Sequence, residues 1–244
     1  MNQLAKGVLK NFTVGIFGKI IGQGVSIASV AYIARVLGPQ VYGNISLVIA
    51  IISYFSLISS LGLPTVGLRE VAKNRQSPAI VGNILVIRSC LAVIAFCLLL
   101  GYGSLFLISK GLFNLIVLYG LGLFSAAVLL DWAFIGMEKI QYTAFADAIG
   151  SIISLILTIF LVKSSQDVYL LPIIALVSST GVSLYLFYYY KIVQPIKLEI
   201  NVKQIYYYLK LSLPFVVTSF LAQVYGNVDM ILLGFLKGSE QAGY

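Results

Sequence analysis

Long apolar runs separated by short polar segments dominate the chain. A helix needs roughly 20 mostly apolar residues to cross the hydrocarbon core of a bilayer. Seven runs reach that length, and each predicts a transmembrane helix. They lie at residues 12–34, 42–62, 83–104, 112–134, 142–163, 168–190 and 211–236. The pattern therefore predicts an all-α polytopic membrane protein of about seven transmembrane helices.

Composition points to lipid as the solvent of this chain. Hydrophobic residues make up 60% of the sequence and charged residues 10%, whereas about 25% of the residues of a soluble protein are charged. A chain of 244 residues can bury a core, but so few charges cannot cover that core in water. We therefore exclude a soluble enzyme. We interpret the net charge of +8 as membrane topology and expect no nucleic-acid partner.

The basic residues between the spans predict the orientation. With the N-terminus in the cytoplasm, ten Lys and Arg residues fall in the inside segments and four in the outside segments. Cytoplasmic loops are enriched in these residues, so we expect a cytoplasmic N-terminus. The inside residues are Lys6, Lys10, Arg69, Lys73, Arg75, Lys139, Lys191, Lys197, Lys203 and Lys210. The outside residues are Arg35, Lys110, Lys163 and Lys237.

A weak internal repeat relates the first and seventh spans at an offset of 200 residues. Gln23 matches Gln223, a Leu-Lys pair precedes each helix at the same distance, and glycine-framed turns follow at 38–43 and 238–243. Two similar membrane helices can also match this well by chance. A real repeat would be one of the two common transporter designs, with parallel halves related by an axis along the membrane normal.

The repeat divides the chain into two parts. Residues 1–204 would form a first lobe of six transmembrane helices, and residues 205–244 would begin a second lobe. Because the chain ends where the eighth helix is due, we expect a truncated second lobe and a fragment of a protein of about twelve helices.

Polar residues inside the spans follow helical spacing and form stripes on the first, fifth and seventh helices. Polar groups in hydrocarbon are costly and usually face a cavity or a partner helix. One hypothesis is a central cavity whose inner half is cationic and suits a phosphate. Its candidate substrate-binding residues are Lys19, Gln23, Arg88, Gln223 and Asn227. Asp131, Asp147 and Asp229 are candidates for ion coupling or charge pairing.

Helix packing is the alternative explanation of the same stripes. Small and hydroxyl residues let membrane helices approach closely and form hydrogen bonds between them. Arg88, Asp131 and Asp147 lie near the inner interface, where anchoring or mutual pairing explains them equally well. Lys19 lies roughly two turns inside its span, and this depth favours a functional role.

Motifs for catalysis are absent from the sequence. The chain has no histidine, so no histidine-based acid–base or nucleophile relay exists. There is no phosphate-cradling loop, no zinc-protease motif and no nucleophile elbow. We therefore expect a protein that is not an enzyme and needs no cofactor or metal.

Short motifs at the ends of the spans resemble a known family. The segments are Ala-Arg-Val-Leu-Gly-Pro at 34–39, Arg-Glu-Val-Ala at 69–72 and Asp-Met-Ile-Leu-Leu-Gly-Phe at 229–235. They are similar to segments of polysaccharide biosynthesis proteins of the O-antigen flippase type. This family belongs to the superfamily of multidrug/oligosaccharidyl-lipid/polysaccharide exporters.

The resemblance implies a substrate and a location. Such proteins usually have twelve or more helices in two lobes. They flip undecaprenyl-pyrophosphate-linked oligosaccharides across the bacterial inner membrane by alternating access, coupled to an ion gradient. Cationic cavity residues meet the pyrophosphate, and Lys19 is the best match by position. The implied partners are the lipid-linked oligosaccharide, membrane lipids and other polysaccharide-assembly membrane proteins.

Other functions stay open at this point. A cation-coupled multidrug exporter of the same superfamily would have a similar pattern. A non-transporting scaffold is compatible with the short second lobe. A membrane enzyme such as a polysaccharide polymerase is disfavoured, because the long loops and catalytic histidines expected of it are missing.

Overall fold

The computed structural model describes residues 3–74, 78–108, 111–196 and 201–236, without the side chains of 3–14, 16, 17, 19, 78 and 227–236. In this part the chain is helical, as the sequence predicts. The helices are α1 (Gln3–Ser60), α2 (Leu63–Lys73), α3 (Pro78–Phe106), α4 (Phe113–Gly120), α5 (Gly122–Val128), α6 (Asp131–Gly136), α7 (Ile140–Leu161), α8 (Leu170–Val193) and α9 (Val202–Leu236). A 3-10 turn at Ser165–Tyr169 leads into α8.

Helix α1 supplies two membrane crossings. At 58 residues a straight helix would be roughly 87 Å long, far more than the hydrocarbon thickness of about 30 Å. Gly38 breaks it with φ 77° and ψ 165°, a conformation open to glycine, and Pro39 follows. The chain therefore reverses here, between the first and second predicted spans.

The predicted set of spans is confirmed. Six helical stretches of the described residues are long and apolar enough to cross a membrane, and the first, Ile20–Ser60, contains the break at Gly38 and counts twice. We call the membrane side on which α1 begins the proximal side and the opposite one the distal side. The division into lobes at residue 204 stays a prediction, and the turn predicted at 238–243 lies outside the described residues.

The fourth span is interrupted twice, which the sequence pattern does not predict. Helices α4, α5 and α6 follow one another through this span. The second interruption is at Leu129, whose extended backbone (φ −65°, ψ 127°) ends α5. Free backbone groups at such a break need partners because hydrocarbon offers none.

Glycines let α1 and α7 approach closely on the proximal side. A Cβ atom added at Gly15 would stand 2.8 Å from Ile140, and one at Gly18 would stand 2.7 Å from the Cβ of Ala144. At Gly22 the distance to the Ser151 hydroxyl rises to 3.7 Å. We call these contacts the glycine seam. The two helices run parallel and separate along its length towards the distal side.

A second close-packed region lies at the proximal ends of the helices. The amphipathic helix α2 buries Val66 and Gly67, and Gly67 rests on the indole of Trp132. Helix α9 joins this region, because the Arg69 guanidinium lies 4.9 Å from the ring centroid of Phe215. The segment between the second and third predicted spans is therefore a packed helix.

We expect Gly18→Ala to destabilise the protein by about 1–3 kcal/mol, the usual cost of overpacking. The new methyl group would meet the Cβ of Ala144 at 2.7 Å and the backbone oxygen of Ala144 at 3.0 Å. Thermal unfolding in detergent, followed by the fluorescence of the single tryptophan, measures this loss.

Gly24→Ala is the matched control, since nothing lies within 4 Å of its added Cβ. Alanine is also the better helix former, so this variant should unfold at the wild-type temperature or slightly above it. Equal unfolding temperatures for the two variants would contradict the glycine seam.

Candidate functional site

A cavity of about 600 Å³ lies between the helices and opens at the surface of the described bundle, where its lining residues Ser26 and Asp147 are exposed. Its walls come from α1, α5, α7 and α8. Tyr119 of α4 contributes an aromatic ring to the lining. The lining residues of α7 fall between Asp147 and Ser154, near the middle of that helix. The cavity therefore lies near mid-depth in the bundle.

The packing of α1 against α7 positions the cavity. The glycine seam holds the two helices together on the proximal side, and the cavity begins where they diverge, at Val25 and Ser26. On the distal side, the Tyr32 hydroxyl donates to the carbonyl oxygen of Val162 at 2.9 Å. The cavity is the space between these two contacts.

Half of the serines that line the cavity have hydrogen-bond partners. The Ser125 and Ser179 hydroxyls lie 2.8 Å apart, and Ser183 donates to the carbonyl oxygen of Ser125 at 2.9 Å. Ser29 donates to the carbonyl oxygen of Val25 within its own helix at 3.0 Å. The bonds between α5 and α8 join two walls of the cavity.

The other four serines of the lining lack such hydrogen-bond partners. Ser26, Ser151 and Ser154 form no hydrogen bond with the described residues, and the fully buried hydroxyl oxygen of Ser178 has no partner there. Serines elsewhere in the bundle donate to carbonyls of their own helix, as Ser53 does at 2.6 Å. The hydroxyls of Ser26, Ser151 and Ser154 are available to a ligand or to water, whereas that of Ser178 is enclosed by protein.

The charge of the lining is negative. Among the described residues that line the cavity, Asp147 carries the charge. Its side chain also interacts with another part of the chain. The lining includes no described lysine or arginine. The cavity can therefore accept hydrogen-bond donors and cations, but it offers no cationic partner for a phosphate.

Arg88 lies behind the cavity wall. It is 5% exposed, and its guanidinium donates to the carbonyl oxygens of Leu129 at 2.9 Å and Ala126 at 2.5 Å. These carbonyls close α5 at the interruption of the fourth span, where a positive charge also complements the helix dipole. The geometry is that of an Arg that holds the broken helix, and its predicted contact with a substrate stays untested.

Asp131 lies close to the same interruption. Asp131 begins α6, and its negative charge interacts with the positive charge of Arg88. The indole nitrogen of Trp132 donates to the carbonyl oxygen of Leu129 at 3.1 Å. This arrangement fits charge pairing, one of the two roles that the sequence suggests for Asp131.

The other predicted site residues lie on α1 and α9. Gln23 is exposed on α1, and Gln223 is half-buried on α9, where it interacts with another part of the chain. The side chains of Lys19, Asn227 and Asp229 lie outside the described residues. Of the eight predicted site residues, Asp147 lines the cavity.

Sequence reasoning missed the contribution of α5 and α8. Ser179 and Ser183 are four residues apart and so share one helix face, a signal that was present in the sequence. Ser178 and Ser125 join them in the cavity lining. The interruption near Leu129 had no comparable signal, because Arg88 stabilises it from a distance of 41 residues.

Comparisons with known proteins agree with the membrane architecture. A family model described as "Polysaccharide biosynthesis protein" matches residues 8–244. A Shigella dysenteriae protein named "Putative O-antigen transporter" is 27% identical over 214 residues. The alignment covers 85% of this chain and 53% of the relative, so the chain spans about half the length of the curated relative it matches. No solved structure matches the chain significantly.

We expect Arg88→Lys to lower the unfolding free energy by about 1–3 kcal/mol. A single ammonium group cannot reproduce the planar fork that reaches both carbonyls, so one buried oxygen would lose its partner. Thermal unfolding of the purified protein measures the effect.

Arg35→Lys serves as the control, because Arg35 is exposed. If both variants unfold at the same temperature, Arg88 does not hold the interruption. Loss of transport with unchanged stability would instead favour substrate contact.

Proposed function

We propose, from the premise that this chain belongs to the polysaccharide biosynthesis protein family, that it is a flippase for lipid-linked oligosaccharides. Its substrate is an undecaprenyl-pyrophosphate-linked oligosaccharide, moved across the bacterial inner membrane for O-antigen or capsule biosynthesis. The family match over residues 8–244 carries this proposal. The name of the Shigella dysenteriae relative supports a transport role.

The architecture is suited to this task. The chain is a multi-pass membrane protein with a polar cavity near mid-depth in its bundle. Four hydroxyls in that cavity lack partners among the described residues. Polar groups at this depth mark transport pathways more often than packing faults, because hydrocarbon penalises them. A purely structural bundle has no need of such a cavity.

Alternating access needs a movable element and a fixed one. The glycine seam and the Arg88 contacts make α1, α3, α5 and α7 the fixed part of the bundle. Helix α9 is the movable part in this proposal. Its exposed apolar side chains include Leu213, Val217 and Leu221. The N-terminus is cytoplasmic, which makes the proximal side the cytoplasmic one.

Three predicted groups take distinct roles in this proposal. Lys19, on the first helix, meets the pyrophosphate, with Gln23, Gln223 and Asn227 near it on α1 and α9. Asp147 carries the coupling proton, since a carboxylate in a polar cavity can take up and release one.

Deleting the gene tests the proposed function directly. We expect the deletion strain to lose most surface polysaccharide and to accumulate lipid-linked oligosaccharide on the cytoplasmic leaflet, with both restored by the wild-type gene. Unchanged polysaccharide together with increased drug sensitivity would overturn the proposal in favour of a multidrug exporter.

We expect Lys19→Ala, expressed in the deletion strain, to reduce surface polysaccharide at least about tenfold. That factor corresponds to losing about 1.4 kcal/mol of interaction with the pyrophosphate. Immunoblotting of membranes checks that the variant still inserts.

Lys203→Ala is the control, because Lys203 is exposed at the start of α9. It should complement the deletion fully. A normal polysaccharide level with Lys19→Ala would remove Lys19 from the substrate site and leave the flippase function itself standing.

A further inference from the structure

We infer that a groove between the proximal ends of α7 and α8 binds an anionic glycerophospholipid of the proximal leaflet. Its floor consists of Tyr142 on α7 and of Tyr185 and Tyr189 on α8, and we call it the tyrosine groove. Helix α7 begins and α8 ends on the proximal side, so the groove lies where the headgroups of that leaflet lie. The inference does not depend on the proposed function.

Packing positions the three tyrosine rings. The ring centroids of Tyr142 and Tyr189 are 5.6 Å apart, and those of Tyr185 and Tyr189 are 4.7 Å apart. Phe134 is fully buried and supports the ring of Tyr142 at a centroid distance of 5.4 Å. The rings therefore bridge the two helices and extend from the buried core to the surface.

The hydroxyls of these rings form a cluster of donors. The hydroxyl of Tyr185 interacts electrostatically with those of Tyr142 and Tyr189, and none of the three forms a hydrogen bond with the described residues. Tyr190, the next residue of α8, instead donates to Gln194 at 3.1 Å. A tyrosine hydroxyl can donate one hydrogen bond. Three donors in one place suit a ligand with several acceptor oxygens, such as a phosphate.

The charges around the groove favour an anionic headgroup. Lys139 precedes Tyr142 by three residues and so lies on the same helix face, and Lys191 is exposed in the last turn of α8. Neither lysine forms an ion pair within the described part of the chain. Glu138 is acidic but interacts with another part of the chain, and neither residues 140–146 nor α8 contain Asp or Glu. Basic pockets between membrane helices recognise anionic lipids in this way.

Apolar side chains continue the groove towards the middle of the bilayer. Phe145 and Ile149 on α7 and Leu184 on α8 are exposed there. Further in, the two helices close on each other, because a Cβ atom added at Gly150 would stand 2.5 Å from the side chain of Val182. Basic and hydroxyl groups followed by exposed apolar groups repeat the order of a phospholipid headgroup and its acyl chains. A soluble acidic partner would match only the first part.

The groove is separate from the central cavity. On α7 the cavity lining includes Asp147 and Ser154, whereas Tyr142, Phe145 and Ile149 face the groove. At about 100° per residue, these two sets fall on roughly opposite sides of the helix. The lipid would therefore lie on the outer surface of the bundle, away from the cavity.

Native mass spectrometry of the full chain in detergent tests the site. Phosphatidylglycerol, phosphatidylethanolamine and phosphatidylcholine with identical acyl chains are titrated separately. The first phosphatidylglycerol should bind at least about tenfold more tightly than phosphatidylcholine, a difference of about 1.4 kcal/mol. Equal affinity for the three lipids, or a preference for a zwitterionic one, would overturn the inference and leave an ordinary aromatic belt.

Removing the hydroxyls tests the assignment to the groove. A triple variant with Tyr142→Phe, Tyr185→Phe and Tyr189→Phe keeps the rings and should lose at least about tenfold in affinity for phosphatidylglycerol. Its unfolding temperature without added lipid should equal that of the wild type, because the hydroxyls have no partner among the described residues. The matched control is Tyr206→Phe with Tyr207→Phe, two exposed tyrosines near the start of α9. Unchanged affinity in the triple variant, or an equal loss in the control, would place the lipid elsewhere and overturn the inference.

A pair of lysine variants separates a site from diffuse attraction. Lys139→Ala should weaken phosphatidylglycerol binding at least about threefold, near 0.7 kcal/mol. Lys203→Ala removes the same charge from an exposed position at the start of α9 and should leave the affinity unchanged. Equal losses in the two variants would show that the whole basic surface attracts the lipid, and the groove would not be its site.

Discussion

The contact of Arg88 with the carbonyls that close α5 is the interaction on which the central part of the bundle depends. Within a membrane, a helix can be interrupted only if the freed backbone groups find other partners. Arg88 supplies them to Ala126 and Leu129 from a neighbouring helix. The last turn of α5 before the interruption places Ser125 against α8 and Ala126 in the cavity wall. A buried positive charge thus supports a cavity wall that it does not itself line.

The glycine seam and the cavity have a common origin. Gly15 and Gly18 bring α1 against α7, and at Gly22 the gap between the two helices is already wider. The two helices are held together at the proximal end and diverge towards the distal end. A space therefore forms between them unless large side chains fill it. At Ser26, Ser151 and Ser154 the chain has small polar residues there instead. Close packing and open space are therefore consequences of one helix pair.

The spans could be predicted from the sequence because hydrophobicity over about 20 residues is a local property. The same holds for the polar stripes of the first and fifth spans, and the candidate Asp147 lines the cavity. The interruption at Leu129 could not be predicted, since it depends on a side chain 41 residues away. Nor could the packed state of α2, which needs the indole of Trp132 as a surface for Gly67.

The substrate proposed for this family member has a charged end and a neutral end, and a single lining cannot suit both. A pyrophosphate needs basic partners, whereas sugar rings need hydroxyls, carboxylates and apolar faces. The described cavity has only the second set, with Asp147 as its charge. Arg88 lies behind the wall, with its guanidinium bonded to two carbonyls, so Asp147 remains the charge of the described lining.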